Sequence, residues 1–349
     1  MLLNKNSSRE SLLKAVKSHG YLLMYASDEL KADREVVLEA VRSHGESLAY
    51  ASDELKADRE VVLEAMSAES TALCAMEYAS DELLADREFV FEAMNKGFAF
   101  YFEYVSEELR ADREFVLEVL KRDGFQLQHV SEKLRADREV VIEAVKGFGL
   151  VLDDASDELR GDREVVLEAV CSDGRSLEYA SDELKADHQV VLEAINNNRE
   201  ALKYASKKLK NDRDFLLKFV KKFRGNLNIN GFEYASKKLK NDRDFVFEVL
   251  KLDGYALEFA SKKLKADREV VLEAINSRDY LAFCCSSEEL RADRDFVFEV
   301  LKLDGLAFEF ASKKLKADRE VVFEAVRSNG LALEFASKKL KADREVVLE

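Results

Sequence analysis

Hydrophobic residues return along this chain in a pattern that repeats about every 25 residues. In the copy that begins at Asp33, they follow at positions +3, +4, +7 and +8, which is the spacing of one apolar face of an amphipathic helix. The phrase Ala-Asp-Arg-Glu, or a close variant, opens each helix, and successive aspartates lie 25, 28, 26, 25, 25, 25, 25, 30, 25, 26, 25 and 25 residues apart. These aspartates are Asp33, Asp58, Asp86, Asp112, Asp137, Asp162, Asp187, Asp212, Asp242, Asp267, Asp293, Asp318 and Asp343.

Each copy carries signals for where its helix starts and stops. Asp33 is predicted to be an N-cap whose carboxylate accepts hydrogen bonds from first-turn amides, and Glu35 suits the positive end of the helix dipole. A glycine such as Gly45 is predicted to end the helix in a left-handed conformation. The same glycine recurs at Gly20, Gly45, Gly124, Gly149, Gly174, Gly254, Gly305 and Gly330.

A second, shorter helix is expected in each copy. In the copy that begins at Asp33 it starts near Glu46, and its apolar residues are Leu48, Ala51 and Leu55. Ser52 opens the phrase Ser-Asp-Glu-Leu, which is typical of a fresh N-cap. We therefore expect a short helix, a break at the serine and one more helical turn before the next aspartate.

Neither helix is long enough to be stable alone, because isolated helices below about 12–15 residues are marginal in water. Stacking of neighbouring copies would bury both apolar faces. The predicted fold is therefore an all-α α-solenoid of about thirteen tandem repeats, arranged as an elongated superhelix.

We expect residues 1–349 to form a single continuous repeat array. Residues 1–32 are interpreted as a degenerate N-terminal capping repeat, because Ser8-Arg9-Glu10 lies 25 residues before the phrase at Asp33. Residues 33–206 form an acidic half, and residues 207–349 form a lysine-rich half whose last repeat is incomplete.

Departures from the 25-residue period should fall in connections. The longer insertions lie at residues 66–71 and 222–231, and both are predicted to be surface loops. The last copy stops at Glu349, a few residues into its helix, so the natural chain is expected to continue.

The motif Asp-Arg-Glu-Val-Val-Leu-Glu-Ala-Val, followed by Gly-x-x-Leu-x-Tyr-Ala-Ser-x-x-Leu, resembles the repeat of the domain of unknown function 4116 family. The resemblance covers essentially the whole chain and recurs in nearly every copy. It implies a helical-repeat fold and implies no activity.

Composition agrees with an ordered, mostly helical protein. The chain is 47% hydrophobic and 36% charged, and it contains no proline, a residue that clashes inside helices. No apolar run approaches the roughly 20 residues needed to span a bilayer, and the N-terminus is too short and polar for a signal peptide. We expect a soluble intracellular protein in the cytoplasm, with export by a non-classical route left open.

The cysteines have no regular spacing, which favours buried small hydrophobic residues in a reducing compartment over a disulfide framework or a zinc site. They are Cys74, Cys171, Cys284 and Cys285.

In a solenoid, equivalent positions stack into ladders, and one ladder is aromatic. Exposed aromatic rings could stack on bases or ligands. Tyrosine and phenylalanine interchange at this position, however, so the hydroxyl is dispensable and core packing is favoured. The ladder consists of Tyr25, Tyr50, Tyr78, Tyr104, Tyr179, Tyr204, Tyr234, Phe259, Phe310 and Phe335.

A second ladder joins each cap aspartate to the arginine that follows it, from Asp33-Arg34 to Asp343-Arg344, with His188 as the exception. We expect each arginine to pair with a glutamate of an adjacent repeat, which would form an inter-repeat ion-pair network; a partner-binding stripe is the alternative. The expected glutamates begin with Glu39, Glu64, Glu92, Glu118 and Glu143.

A third ladder changes sign along the chain. Residues 1–200 hold 24 Lys and Arg against 44 Asp and Glu, whereas residues 201–349 hold 31 against 26. After the repeated serine, early copies carry two acids and later copies carry two lysines, with Glu288-Glu289 as an interruption. A solvated face that drifted in charge is one interpretation, and a bipolar binding surface is the other. Its candidate partner-binding residues are Lys207, Lys208, Lys237, Lys238, Lys262, Lys263, Lys313, Lys314, Asp53, Glu54, Asp182 and Glu183.

The aromatic ladder is broken in two consecutive copies, at His129 and Asp154. Stacked repeats would bring these side chains within roughly 10 Å of each other. A His/Asp pair can do acid–base work, but no nucleophile or third group stands at a matching position. The pair is therefore noted as anomalous and not as a catalytic site.

The sequence contains no glycine-rich phosphate loop, no Cys-x-x-Cys and no His-Glu-x-x-His motif. We expect no enzyme, no cofactor and no metal, and instead a protein–protein interaction scaffold with an unidentified protein partner and possible head-to-tail self-association. One alternative is a modular nucleic-acid binder, which the net charge of −15 disfavours. The other is the targeting arm of a larger protein whose catalytic domain lies outside this segment.

Overall fold

The computed structural model describes residues 7–68, 75–96, 102–223, 231–277 and 280–348. It divides into two compact units, Met1–Tyr179 and Ala180–Glu349, which we call the first and the second unit. Both are built from the same helical repeat, and no β-strand occurs in the described ranges. The chain is an all-α repeat solenoid, as predicted.

Every repeat begins with a capped α-helix of five to ten residues. In the copy that begins at Asp33, the carboxylate accepts hydrogen bonds from the amides of Glu35 and Val36, at 3.1 and 3.2 Å. In the first helix, the Ser8 hydroxyl has the capping role and accepts a hydrogen bond from the amide of Ser11 at 3.3 Å. The helices are α1 (Arg9–Val16), α2 (Arg34–Ser43), α3 (Arg59–Met66), α4 (Arg87–Asn95), α5 (Arg113–Arg122), α6 (Arg138–Gly147), α7 (Arg163–Ser172), α8 (His188–Asn197), α9 (Arg213–Lys222), α10 (Arg243–Leu250), α11 (Arg268–Asn276), α12 (Arg294–Leu303), α13 (Arg319–Ser328) and α14 (Arg344–Leu348).

The second helix of each repeat is a 3₁₀ helix, so the predicted short helix is confirmed in a tighter form. These helices are Gly20–Tyr25, Gly45–Tyr50, Met76–Tyr78, Phe102–Tyr104, Gly124–His129, Gly149–Asp154, Gly174–Tyr179, Arg199–Tyr204, Gly231–Tyr234, Gly254–Phe259, Tyr280–Cys285, Gly305–Phe310 and Gly330–Phe335.

The predicted break at the serine is confirmed, and one more helical turn follows it. We call this third segment the short turn. It is α-helical in most copies and 3₁₀ in the others. The short turns are Asp28–Lys31, Asp53–Lys56, Asp81–Leu84, Glu107–Arg110, Glu132–Arg135, Asp157–Arg160, Leu184–Ala186, Leu209–Asn211, Lys237–Lys240, Leu264–Ala266, Glu288–Ala292, Leu315–Ala317 and Lys338–Lys341.

The core of each unit is a continuous stack of apolar side chains from all three segments. Val36, Val37, Ala40 and Val41 of α2 are fully buried, together with Leu48 of the following 3₁₀ helix. Because each helix covers the apolar face of the next copy, short helices that would be unstable alone are held in place. The largest fully buried side chains include Phe89, Phe102, Phe115, Phe219, Phe232, Phe245, Phe283, Phe296 and Phe308.

The role predicted for the repeated glycine is wrong. The helix α2 ends at Ser43, the next residue His44 is extended (φ −151°, ψ 111°), and Gly45 begins the 3₁₀ helix. None of the equivalent glycines at 20, 124, 149, 254, 305 and 330 has a left-handed φ. The glycine is used for close approach instead, because a Cβ on Gly149 would lie 2.3 Å from the carbonyl oxygen of Ala169 in the next copy.

The two insertions are only partly described. Met66 is buried at the end of α3, so the prediction of a surface loop is wrong at that position. Residues 69–71 of the first insertion and residues 224–230 of the second lie outside the described residues, as does Glu349.

Candidate protein-interaction surface

The two residues after each cap serine form an exposed surface that we call the ridge. In the second unit, the Ser206 hydroxyl accepts a hydrogen bond from the amide of Leu209 at 3.3 Å, and the Leu209 side chain is buried. Lys207 and Lys208, which lie between them, are exposed. The serine and the leucine thus fix the turn, and the two intervening side chains point to solvent.

The ridge has one acidic and one mainly basic section, and every member is exposed. The first-unit ridge consists of Asp28-Glu29, Asp53-Glu54, Asp81-Glu82, Glu107-Glu108, Glu132-Lys133 and Asp157-Glu158. The second-unit ridge consists of Asp182-Glu183, Lys207-Lys208, Lys237-Lys238, Lys262-Lys263, Glu288-Glu289, Lys313-Lys314 and Lys338-Lys339.

Within each unit, a backbone hydrogen bond joins one short turn to the next, which the sequence reasoning missed. The amide of the cap serine donates to the carbonyl oxygen of the residue four positions after the preceding cap serine, at 2.8 to 3.1 Å. In the first unit the pairs are Ser52–Lys31, Ser80–Lys56, Ser106–Leu84, Ser131–Arg110 and Ser156–Arg135. In the second unit they are Ser206–Lys185, Ser236–Lys210, Ser261–Lys240, Ser287–Lys265, Ser312–Arg291 and Ser337–Lys316.

This hydrogen bond keeps the ridge regular where the sequence period is not. The step from Lys210 to Ser236 spans the longest insertion, yet its hydrogen bond is 2.8 Å long. The step from Lys56 to Ser80 spans the other insertion, and its hydrogen bond is 3.0 Å long. The extra residues are therefore accommodated elsewhere, and neighbouring short turns stay in register.

A third lysine follows the ridge pair, three positions after the first lysine of that pair. In some copies, its side chain makes a hydrogen bond within the fold. Nζ of Lys240 donates to the carbonyl oxygen of Glu233 at 2.6 Å, and Nζ of Lys316 donates to that of Glu309 at 2.5 Å. Burial lowers the pKa of both amines. A basic residue recurs at this position in nearly every copy, and that recurrence was the signal in the sequence that could have identified it.

The ridge lysines differ from these half-buried lysines. Within the described ranges, no hydrogen bond or ion pair links the side chain of Lys207, Lys208, Lys237, Lys238, Lys262, Lys263, Lys313 or Lys314 to another residue. Lysine at the start of a helical turn costs roughly 0.3–1 kcal/mol, because the helix dipole favours acids there. The fold itself therefore gives no reason for a lysine ridge.

The predicted inter-repeat arginine network is present, but its main partners are different. Arg34 pairs with the next copy's cap, Asp58, at 3.1 Å, and also with Glu60, instead of Glu64. The same forked arrangement joins Arg9 to Asp33 and Glu35, Arg113 to Asp137 and Glu139, Arg138 to Asp162 and Glu164, Arg243 to Asp267 and Glu269, Arg294 to Asp318 and Glu320, and Arg319 to Asp343 and Glu345.

The forked pair is replaced where a phenylalanine begins the core face of the next helix. Arg87 lies over the ring of Phe115, 5.5 Å from its centroid, and its ion pair is to Glu118 at 3.4 Å. Arg213 pairs with Glu248 over the ring of Phe245 in the same way. Two of the predicted glutamates do form the expected ion pair with the arginine that follows the cap aspartate of the preceding copy. Glu92 pairs with Arg59, and Glu118 pairs with Arg87. Glu39 and Glu64 both pair with Arg42, and the described residues show no ion pair at Glu143.

The cap aspartates make stability depend on pH. The guanidinium of Arg113 holds the pKa of Asp137 below its ordinary value of 3.8; burial opposes this shift, and two first-turn amides add to it. A carboxylate with a lowered folded-state pKa stabilises the fold above its unfolded pKa, and that stability is lost as pH falls through the folded pKa. We expect urea midpoints to be level from pH 7 to 5 and to fall below about pH 4.

A single substitution tests this assignment. Asp137→Asn keeps an effective N-cap but removes the charge, so the variant should be less stable at pH 7 and should lose less stability between pH 5 and pH 3. Urea unfolding followed by circular dichroism at each pH measures both quantities. An acid-induced loss equal to that of the unchanged chain would show that Asp137 does not contribute to it.

The aromatic ladder is not in the core, so that interpretation is wrong. Tyr25 is 47% exposed, and the other members are half-buried at the surface of each unit. The core position is the residue two before the aromatic one, such as Leu48 before Tyr50. The interchange of tyrosine with phenylalanine therefore occurs at a partly exposed position and not in the core.

The structure brings His129 and Asp154 close enough to interact electrostatically. Burial raises the pKa of Asp154, with Asp153 adding to the shift, while Arg135 and His129 oppose it. His129 lines an open cavity of about 430 Å³ together with Arg110 and Arg135. No hydrogen bond joins the two side chains in the described structure, and the one hydroxyl among the residues that line the cavity, that of Ser131, is buried.

The cysteines are less buried than predicted. Cys171 is exposed, Cys284 and Cys285 are half-buried free thiols, and Cys74 lies outside the described residues. Among the residues described, no group of His, Cys, Asp and Glu side chains is placed to hold a metal ion. No helix in the described ranges is long and apolar enough to cross a bilayer.

A capped helix, a 3₁₀ helix and a short turn that recur in register define a tandem helical-repeat protein. The family model described as Domain of unknown function (DUF4116) matches this chain repeatedly, and the chain belongs to that family. No curated protein matches it. The matched residues are 8–56, 33–74, 58–110, 86–135, 112–160, 137–185, 162–210, 187–240, 226–265, 242–291, 267–316 and 318–349.

Proposed function

We propose that this protein is a non-catalytic protein–protein interaction scaffold whose ridge is its binding surface. One observation carries the proposal: the ridge charges change from acidic to basic while the N-cap serine, the leucine three residues after it and the inter-repeat hydrogen bond within each unit recur. The fold therefore accepts either sign at the ridge, although acids are favoured at the start of each turn. The side chains of the eight candidate lysines form no hydrogen bond or ion pair with other described residues, so their charge is available to a partner.

The regular recurrence of the ridge determines how such a surface would bind. Each exposed ion pair with a partner contributes only about 0–1 kcal/mol, so a single copy cannot hold a partner. Several copies that present the same charges in register add their contributions and steer the encounter. Single substitutions on the ridge should therefore have small effects, and substitutions in several neighbouring copies should have large ones.

The experiment compares two variants with the same change in charge. In the ridge variant, Lys207, Lys208, Lys237 and Lys238 are reversed to Glu. In the control variant, four exposed lysines of the second unit away from the ridge are reversed to Glu: Lys218, Lys221, Lys251 and Lys302. Affinity purification from the native cell should recover most partners with the control and lose them with the ridge variant.

Two outcomes would contradict the proposal. Equal partner recovery from the ridge and control variants would show that the ridge is ordinary solvated surface. The second outcome has two parts: nuclease treatment removes the recovered partners, and the protein shifts random RNA or DNA in a gel at low salt. It would show that the lysines bind nucleic acid instead of a protein. Circular dichroism of both variants checks that each is folded.

A further inference from the structure

The acidic ridge of the first unit and the lysine ridge of the second unit have the same spacing. In both units, each short turn is joined to the next by the same hydrogen bond, from the cap serine amide to a carbonyl oxygen, at 2.8 to 3.1 Å. Because the same hydrogen bond sets every step, one ridge presents acids at the interval at which the other presents lysines. The interval is the roughly 8–10 Å of packed helices.

Four of five consecutive copies carry two acids on the first ridge and two lysines on the second; at the remaining copy Lys133 meets glutamate, while Glu132 meets a like charge. The first-unit copies at Asp53, Asp81 and Glu107 carry two acids each, and the second-unit copies at Lys207, Lys237 and Lys262 carry two lysines each. The next first-unit copy is Glu132-Lys133, the only ridge position of that unit with a lysine, and the next second-unit copy is Glu288-Glu289. Opposite charges resume at Asp157-Glu158 and Lys313-Lys314.

We infer that the lysine ridge of one molecule binds the acidic ridge of a second copy of this chain, in the register that sets Lys133 opposite Glu288 and Glu289. This inference rests on the proposed function and names its partner. An unrelated acidic partner would need the same charge interval by coincidence, whereas a second copy has it by construction. In that register, the five first-unit copies from Asp53 to Asp157 face the five second-unit copies from Lys207 to Lys313, and the like-charged copies Asp28-Glu29 and Asp182-Glu183 face each other at one end.

The arrangement fixes the kind of assembly. The first-unit ridge of one molecule meets the second-unit ridge of another, so the contact is heterologous and joins two different surfaces. Association should therefore increase with protein concentration. It should weaken between about 0.05 and 0.5 M salt, because exposed charges are screened within roughly 10 Å at 0.1 M.

The test uses two charge-reversed full-length chains. In the all-acid variant, Lys207, Lys208, Lys237, Lys238, Lys262 and Lys263 are reversed to Glu. In the all-base variant, Asp53, Glu54, Asp81, Glu82, Glu107 and Glu108 are reversed to Lys. The formal charge of −15 falls by twelve in the first and rises by twelve in the second, so both variants stay net negative. Bulk charge alone then gives them no reason to attract each other.

Sedimentation velocity at 0.05 M salt separates the outcomes. The unchanged chain should sediment as a concentration-dependent oligomer, each variant alone as a monomer, and an equimolar mixture of the two variants again as an oligomer. A control variant with Lys218, Lys221, Lys251 and Lys302 reversed to Glu should oligomerise like the unchanged chain. Circular dichroism confirms that each variant is helical.

Two results would overturn the inference: an unchanged chain that stays monomeric at low salt, or variants whose mixture stays monomeric. Neither result alone removes the proposed function. If purification from the cell still depends on the ridge lysines while sedimentation shows monomers, the ridge binds a different protein. If neither depends on the lysines, both proposals fail.

Discussion

Replacing Gly149 with alanine is expected to destabilise the first unit by about 3 kcal/mol. The added Cβ would lie 2.3 Å from the carbonyl oxygen of Ala169 and 2.9 Å from the amide nitrogen of Asp173. Both atoms belong to the backbone at the end of α7, where they form the last helical hydrogen bond at 2.9 Å. Neither can rotate away as a side chain could, so the two copies would have to separate.

Urea unfolding followed by circular dichroism measures this loss, and the chain offers a matched control. Gly330 occupies the same position in its repeat, but a Cβ there would have no heavy atom within 4 Å. Gly330→Ala should change stability by less than about 1 kcal/mol and can be stabilising, because alanine restricts the unfolded chain. Equal effects of the two substitutions would contradict the close-approach role of Gly149.

The sequence predicted what is encoded within one repeat. The aspartate caps, the apolar face of each helix and the break at Ser52 depend on residues a few positions apart, and capping chemistry and helical periodicity identify them directly. The recurrence of the phrase then predicted a solenoid, because no single copy has enough apolar surface to be stable alone.

Features that depend on how copies are placed against each other were predicted less well. The partner of Arg34 is Asp58, 24 residues away, because the helices meet with the arginine of one beside the cap of the next. The period gives the length of this step and not the alignment of the two helices. The role of the repeated glycine was missed for the same reason, because a side chain at Gly149 would collide with a backbone atom of the next copy.

The candidate surface shows the same division. The sequence identified the acid and lysine pairs, and the cap serines explain their exposure. It could not show the hydrogen bond from Ser236 to Lys210, since a backbone contact leaves no trace in side-chain identity. That contact is what turns separate charged pairs into a ridge with a constant step.

Alanine in place of Phe308 should cost the second unit about 3–5 kcal/mol, as expected for a fully buried aromatic side chain. Phe310, two residues later in the same 3₁₀ helix, is half-buried, and its ring lies 6.4 Å from that of Tyr280. Phe310→Ala should cost about 1–2 kcal/mol, since it removes partial burial and one ring pair and leaves no enclosed cavity. Urea unfolding of both variants compares the two positions with the same substitution, phenylalanine to alanine.

Because neighbouring copies depend on each other for burial, the Phe308 variant should also lose amide-exchange protection in α12 and α13 first. Equal losses of stability at Phe308 and Phe310 would show that the aromatic ladder is part of the core. The expected difference would place its rings at the surface.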